Sequence, residues 1–261
     1  MSRKTVALLL FSVIIQIMLE KFSKNSKNFF FDAHFHYAVC REENLFDISD
    51  DEASEVNLNN WKGISCAHSI KEYEIQKTAP DCVIQAYGMH PQNAAYENIE
   101  ESTAFLESLL EGNKIELIGE AGFDYFSDEF KLQKQRQEEI FNIQLELALK
   151  YNKPLVIHCR KANDKLFEYA KKLKKLPEVL FHSFMGTTIE AESLLKRGIN
   201  GYFSFGKQIF NNNKKVIECA KLLPEERLLA ETDAPFQYLK GESFTRPSEI
   251  KKITDGLIQL R

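Results

Sequence analysis

The stretch "FFFDAHFHY", residues 29–37, reads as a buried strand into which two histidines and an acid have been set. The turn after this strand separates two fold classes. A doubly wound open sheet carries a glycine-rich turn after its first strand, where the backbone closes on a phosphate, and "DAHFHY" holds no glycine. Further along the chain, apolar β-rich runs recur at 63–67 (GISCA), 82–88 (CVIQAYG), 115–119 (IELIG), 154–158 (PLVIH), 178–182 (EVLFH), 201–205 (GYFSF) and 227–231 (RLLAE), which with 29–34 makes eight. Helical stretches separate them. In "EEIFNIQLELALK", Phe141, Leu145, Ala148 and Leu149 recur at i, i+4, i+7 and i+8. "IEESTAFLESLLEG", "KLFEYAKKLKK" and "IEAESLLKRG" read likewise, with Gly112 and Gly198 as helix stops. Strands that are apolar throughout, alternating with helices and joined by no low-complexity linker, predict an α/β fold, a single (β/α)8 TIM barrel over residues 29–261. The open sheet is the runner-up.

Composition bounds the partners. With 44% hydrophobic and 28% charged residues the chain has material for a large core. A formal net charge of −4 implies no general polyanion-binding surface, so any affinity for nucleic acid comes from a local patch. Cys40, Cys66, Cys82, Cys159 and Cys219 are odd in number and form no CxxC pair, which reads as free thiols in a reducing compartment. Residues 1–28 read differently. Arg3 and Lys4 precede an apolar run, Val6 to Leu19, that resembles a signal segment and is short for a membrane span. It is an uncleaved anchor, a signal with an unusual cleavage site, or the product of a start assigned ahead of Met18. The last reading is favoured, because the rest of the chain reads as an intracellular domain, and it makes the protein cytoplasmic; the alternatives make it exported or membrane-anchored through residues 1–20, and only they imply membrane contact.

The six histidines carry the functional argument. His34, His36, His68, His90, His158 and His182 all fall at or within two residues of the end of a strand assigned without reference to them. In a (β/α)8 barrel those ends converge on one mouth, where active sites are built. His34 and His36 are two apart, so both leave the same face of the strand in a chelating arrangement. Glu120 ends strand four, and Asp233 comes just after strand eight. Four imidazoles, those of His34, His36, His158 and His182, with two carboxylates facing one cavity would repel or stay unsatisfied unless cations bind there. Six such donors exceed what one four-coordinate ion needs and suggest two ions, with Glu120 as the bridge. Asp32 either orients the histidines or bonds to backbone, and His68 reads as a structural residue.

The motifs "FFDAHFHY", "YGMHPQNA", "IGEAGFDYF", "PLVIHCRKAND", "FHSFMGT" and "LLAETDAPF" resemble, in order and spacing, those of the TatD family of metal-dependent deoxyribonucleases, within the amidohydrolase-like superfamily. The resemblance implies that His34, His36 and Asp233 hold one ion and that Glu120 bridges to a second held by His158 and His182. It implies a place in the site for His90 and a phosphate contact for Arg160. Ser183 and Met185 depart from the family's "HCFSG" run, and the chain ends at Arg261 where the family pattern continues into a helix with an Asn-Ala pair.

The expected reaction is phosphodiester hydrolysis, as a 3′–5′ exonuclease on single-stranded DNA, with two divalent ions drawn from Mg, Mn or Zn. Asp233 would orient or deprotonate the water, Arg160 (with Lys161) would stabilise phosphate charge, and His90 would protonate the leaving group. No stable protein partner is implied. The loop "GFDYFSDEF" is a candidate for base stacking, whereas the lysines of "KLFEYAKKLKKLPE" and "NNNKKVIECAK" read as solvated faces. An amidohydrolase acting on a cyclic amide or ester, and a barrel without catalysis, are the alternatives.

Overall fold

A computed structural model describes residues 29–261; the N-terminal apolar run lies outside the described residues. The strands are β1 (Phe30–Phe35), β2 (Trp61–Ala67), β3 (Val83–Tyr87), β4 (Leu117–Asp124), β5 (Leu155–Arg160), β6 (Val179–Phe181), β7 (Gly201–Phe205) and β8 (Leu228–Ala230). Around them lie α1 (Tyr37–Glu42), α2 (Ile70–Gln76), α3 (Ile99–Glu111), α4 (Asp128–Leu132), α5 (Lys134–Tyr151), α6 (Asn163–Glu168), α7 (Ala170–Leu173), α8 (Thr188–Lys196), α9 (Lys214–Leu222) and α10 (Ile250–Leu260). All ladders are parallel, in the order β1 to β8. The eighth side is closed by two backbone bonds, Asp233 N to His34 O at 2.9 Å and His36 N to Ala234 O at 2.8 Å. This is the predicted (β/α)8 barrel.

One apolar cluster draws at least one residue from every strand, among them Ala33, Cys66, Ala86, Leu117, Val156, Leu180, Tyr202 and Leu229. That cluster is the barrel interior. A larger one, with Ile118, Phe123, Phe141, Leu145, Phe181 and Ile253, fills the layer between strands and helices. Along four of the strands a residue of the mouth stands two positions after the interior one: His68 after Cys66, His158 after Val156, His182 after Leu180 and Glu231 after Leu229.

Strands β1 and β4 break this phase. Asp32 faces Gly63 and Phe35 faces Ser65, three residues advanced against two. Ile118 faces Leu155 and Ala121 faces Ile157, again three against two. Each bulge exchanges the faces of the strand beyond it. Ala33 points into the barrel and Phe35 packs outside against Trp61, so His34 and His36 occupy the inner face. Likewise Leu117 is interior and Phe123 exterior, which turns Glu120 and Asp124 inward.

Some boundaries differ from the sequence reading. Strand β4 continues to Asp124, so Glu120 sits within it rather than at its end. The run "KLFEYAKKLKK" forms two short helices, α6 and α7, with Tyr169 between them. Gly198 has φ +88° just past α8, as a helix stop requires, but Gly112 stays right-handed and the turn falls to Asn113 at φ +48°. The five cysteines are unpaired. Among the described residues no helix is long and apolar enough to cross a membrane.

Candidate metal centre

The barrel mouth is built round one carboxylate. Glu120 is 2% exposed, and its two oxygens divide the histidines of the chain between them. Oε1 lies 3.2 Å from His34 Nε2, 3.6 Å from His36 Nε2 and 2.8 Å from His68 Nε2. Oε2 lies 2.6 Å from His182 Nε2, 3.4 Å from His158 Nδ1 and 3.6 Å from His90 Nε2. Asp233 completes the first side, its Oδ1 3.3 Å from His36 Nε2 and 3.6 Å from His34 Nε2.

His34 Nε2 and His36 Nε2 face each other at 3.2 Å, as do His158 Nδ1 and His182 Nε2, and in each pair at most one nitrogen can place a hydrogen between them. The converging lone pairs of imidazole and carboxylate are the donor chemistry of a divalent cation. The groups His34–His36–Asp233, His34–Glu120–His182, His36–His68–Glu120 and His90–Glu120–His158 each bring three such donors within 4.8 Å of one another. The residues present fit a metal.

The electrostatics agree. Burial opposes the charge on Glu120, yet His34, His182 and His90 outweigh it and hold the carboxyl well below the usual carboxylate range. Asp233 is lowered too, burial being outweighed by His36 and His34. For His182, burial is overcome by Glu120 and Glu231, and the imidazole is raised well above its ordinary range. His34, wholly buried, goes the other way because burial outweighs Glu120.

Other side chains fix the presentation. Asp124 Oδ2 lies 3.0 Å from His158 Nε2 and accepts from Gln92 Nε2 at 2.7 Å. Holding a proton on His158 Nε2 leaves Nδ1 free to face Glu120. Asp124 is itself clamped by the buried Gln137 of α5, which accepts from its N–H at 2.9 Å and donates to its carbonyl at 3.0 Å. Two turns on, Gln144 does the same for Met89, next to His90. Glu231 Oε2 lies 3.7 Å from His182 Nδ1 and accepts from Ser204 Oγ at 2.6 Å. Gln237 Nε2 donates to Ser183 Oγ at 2.6 Å and to Asp233 Oδ2 at 3.1 Å. Ser183 and Asp233 both have positive φ, 48° and 51°, so the two loops this amide joins are strained where they turn into the mouth.

The six expected ligands, His34, His36, Glu120, His158, His182 and Asp233, are thus brought together. His90 joins them with a narrower role. Its Nδ1 accepts from Gln92 N at 3.2 Å, which places the proton on Nε2, and burial pushes its pKa down to about 3. Its Nε2 hydrogen faces the site, with His158 Nδ1 at 3.3 Å and Glu120 Oε2 at 3.6 Å. Arg160 stands at the rim, exposed, its guanidinium 3.6 Å above the ring of Phe126. Asp32 touches no imidazole: it accepts from His34 N, Thr232 N and Thr232 Oγ1 and ties β1 to the turn after β8. His68, read as structural, belongs to the site. Asp124 and Glu231 were missed, although stepping by two from Leu229 points to Glu231 and the "GFD" after Glu120 puts Asp124 on its face.

Known proteins are similar to this chain in sequence and architecture. A metal-dependent hydrolase of Bacillus subtilis, YabD, is 34% identical over 186 residues, spanning 69% of this chain and 71% of its own. A 3′–5′ ssDNA/RNA exonuclease TatD of Edwardsiella piscicida is 34% identical over 189 residues, 70% of this chain and 71% of its own. The crystal structure of YJJV, a TatD homologue from Escherichia coli K12, superposes with a TM-score of 0.76 at 27% identity, over 89% of this chain and 90% of that one. The family model described as TatD related DNase matches residues 31–261, and with the centre round Glu120 this makes the chain a member of the TatD family of metal-dependent hydrolases.

Proposed function

We propose that the protein removes nucleotides from single-stranded nucleic acid by metal-dependent hydrolysis of phosphodiester bonds, with 3′–5′ polarity, as the name of the Edwardsiella relative states for that enzyme. The observation that carries the reading is the convergence of all six imidazoles on the two oxygens of one buried carboxylate. His34, His36, Asp233 and Glu120 Oε1 would hold one divalent ion, and His158 Nδ1, His182 Nε2 and Glu120 Oε2 a second. Ions bound there screen the phosphate charge and make water acidic enough to attack at neutral pH.

The chain's own residues do the rest. Asp233, with Oδ2 engaged by Gln237, orients the attacking water and takes its proton on Oδ1. His90 offers its Nε2 proton as a hydrogen bond to a phosphate or leaving-group oxygen, which becomes more negative as the P–O bond breaks. Arg160 supplies positive charge at the rim. Phe126, half-exposed under Arg160, and Phe236, half-exposed with its ring 4.9 Å from that of His36, are platforms for unstacked bases. A duplex, whose bases are stacked on one another, cannot use them.

The test is digestion of 3′- and 5′-end-labelled single strands with Mg²⁺ or Mn²⁺, beside a Glu120→Ala variant. Stepwise loss from the 3′ end that vanishes in the variant is expected. Intact strands under every metal would overturn the nuclease reading and turn attention to cyclic amide and ester substrates.

A further inference from the structure

Five of the six imidazoles round Glu120 have a task in the proposed reaction, and His68 has none. It is nevertheless the imidazole nearest to Oε1. Ile64, Cys66 and His68 step along β2 on the face that looks into the barrel, so the ring enters the mouth by strand geometry. Its backbone is fixed where it does so: His68 N donates to Glu72 Oε2 at 2.8 Å, and Glu72 N donates to Ser69 Oγ at 3.2 Å in the first turn of α2. Little further order is lost when the ring takes a ligand.

The contrast with His90 is informative. A backbone N–H occupies His90 Nδ1, so its Nε2 carries the hydrogen and has no lone pair to give. Among the described residues no donor reaches His68 Nδ1, and its side chain is 13% exposed, so a proton on Nδ1 leaves the Nε2 lone pair aimed inward. That nitrogen is 2.8 Å from Glu120 Oε1, and the His68 ring meets the His36 ring edge-on at 4.9 Å. Donors about 2.0–2.2 Å from one ion and at right angles to each other lie about 3 Å apart, so the 2.8 Å spacing, short enough for a hydrogen bond, also suits neighbouring ligands. Oε1 also faces His34 at 3.2 Å and His36 at 3.6 Å, and an oxygen with two lone pairs cannot accept a hydrogen from all three.

We propose that His68 is a further metal ligand, sharing with His36 and Glu120 Oε1 the ion on the β1 side of the mouth. The inference rests on the metal-centre reading of the Glu120 cluster. A third imidazole beside His34 and His36 makes that position nitrogen-rich, which favours Mn²⁺ or Zn²⁺ over the oxygen-seeking Mg²⁺.

The experiment is calorimetric titration of the metal-free full chain with Mn²⁺ and, separately, Mg²⁺, for the wild type, His68→Ala and His68→Gln. Metal-free thermal melts serve as the folding control. Expected is a Mn²⁺ Kd weakened about tenfold or more in both variants, with a smaller change for Mg²⁺. Glutamine can still donate a hydrogen bond to Glu120 but is a poor ligand, so wild-type Mn²⁺ affinity in His68→Gln would overturn ligation. So would an affinity within about twofold of wild type in His68→Ala, well short of the loss expected for a ligand. If the alanine variant does not fold, the glutamine variant decides alone. A wild type that binds neither ion would remove the metal-centre reading itself, whereas tight wild-type binding with unaffected variants would remove only the role of His68.

Discussion

At the scale of single residues the site turns on which nitrogen of each imidazole carries a proton. Asp124 is the clearest instance, because it sets the tautomer of His158 from the side away from Glu120. Asp124→Asn keeps the shape, but with its amide oxygen held at the Oδ1 position by Phe126 N it gives up the bond from Gln92 and turns an N–H toward His158 Nε2, which would invert the tautomer and put a hydrogen where the lone pair must point. Such partners of metal-binding histidines typically matter by about 10- to 100-fold. Metal affinity and turnover should therefore both fall by that factor while the melting temperature of the metal-free protein stays within about 2 °C, a shift of no more than about 1 kcal/mol. Wild-type metal affinity in the variant would show that Asp124 is not the group that orients His158.

At the scale of elements the decisive devices are the two bulges and the contact between β4 and β5. Gly122 has φ +146°, and a Cβ there would stand 1.9 Å from the carbonyl oxygen of His158. Only glycine lets the two strands approach so closely at the level of the metal centre. Gly122→Ala must push β5 away or break the ladder, and a cost of more than about 3 kcal/mol is expected in denaturant unfolding. The same change at Gly198, where φ is +88° but nothing lies within 4 Å, should cost about 1 kcal/mol, from backbone strain alone. Equal losses at the two positions would contradict the packing argument. None of this could be seen in the sequence, where the strand reads as 115–119 and "GFDYFSDEF" as the loop that follows it.

At the scale of the whole molecule, a buried cation holds the C-terminal segment to the barrel. Lys207, 1% exposed just after β7, meets Glu242 Oε2 at 2.5 Å and Glu249 Oε2 at 2.8 Å. It thereby ties β7 to the loop after β8 and to the turn that leads into α10, whose Ile250 and Ile253 are wholly buried. Removing both acids strands a charge in the interior, so Glu242→Gln with Glu249→Gln should cost about 3–5 kcal/mol at neutral pH. Lys207→Met, which removes the charge itself and leaves two partly exposed carboxylates, should cost less. The pH dependence has a definite sign. Lys207 holds the Glu242 carboxyl below the usual range, so the stabilisation is complete above the ordinary glutamate pKa of about 4.3. It disappears as pH falls through the lowered folded value. The gap in unfolding free energy between wild type and the double variant should accordingly narrow in acid, and a gap independent of pH between neutrality and about pH 3 would refute the pairing as its source.

Legible along the chain was everything that depends on sequential neighbours. Eight apolar runs, the helices between them and the position of every histidine near a strand end are local patterns, and local patterns survive without knowledge of the third dimension. The barrel, and the six expected donors that meet in its mouth, could be read for that reason. Other features exist only once the elements have met. A bulge at Ala33–His34 and another at Gly119–Glu120 reverse the faces of β1 and β4, and each is defined only relative to a partner strand. That His68 is a member of the site and that Asp124 and Glu231 stand behind His158 and His182 depend on distances between elements far apart in the chain. Ring closure sets those distances, and no periodicity along one strand encodes them.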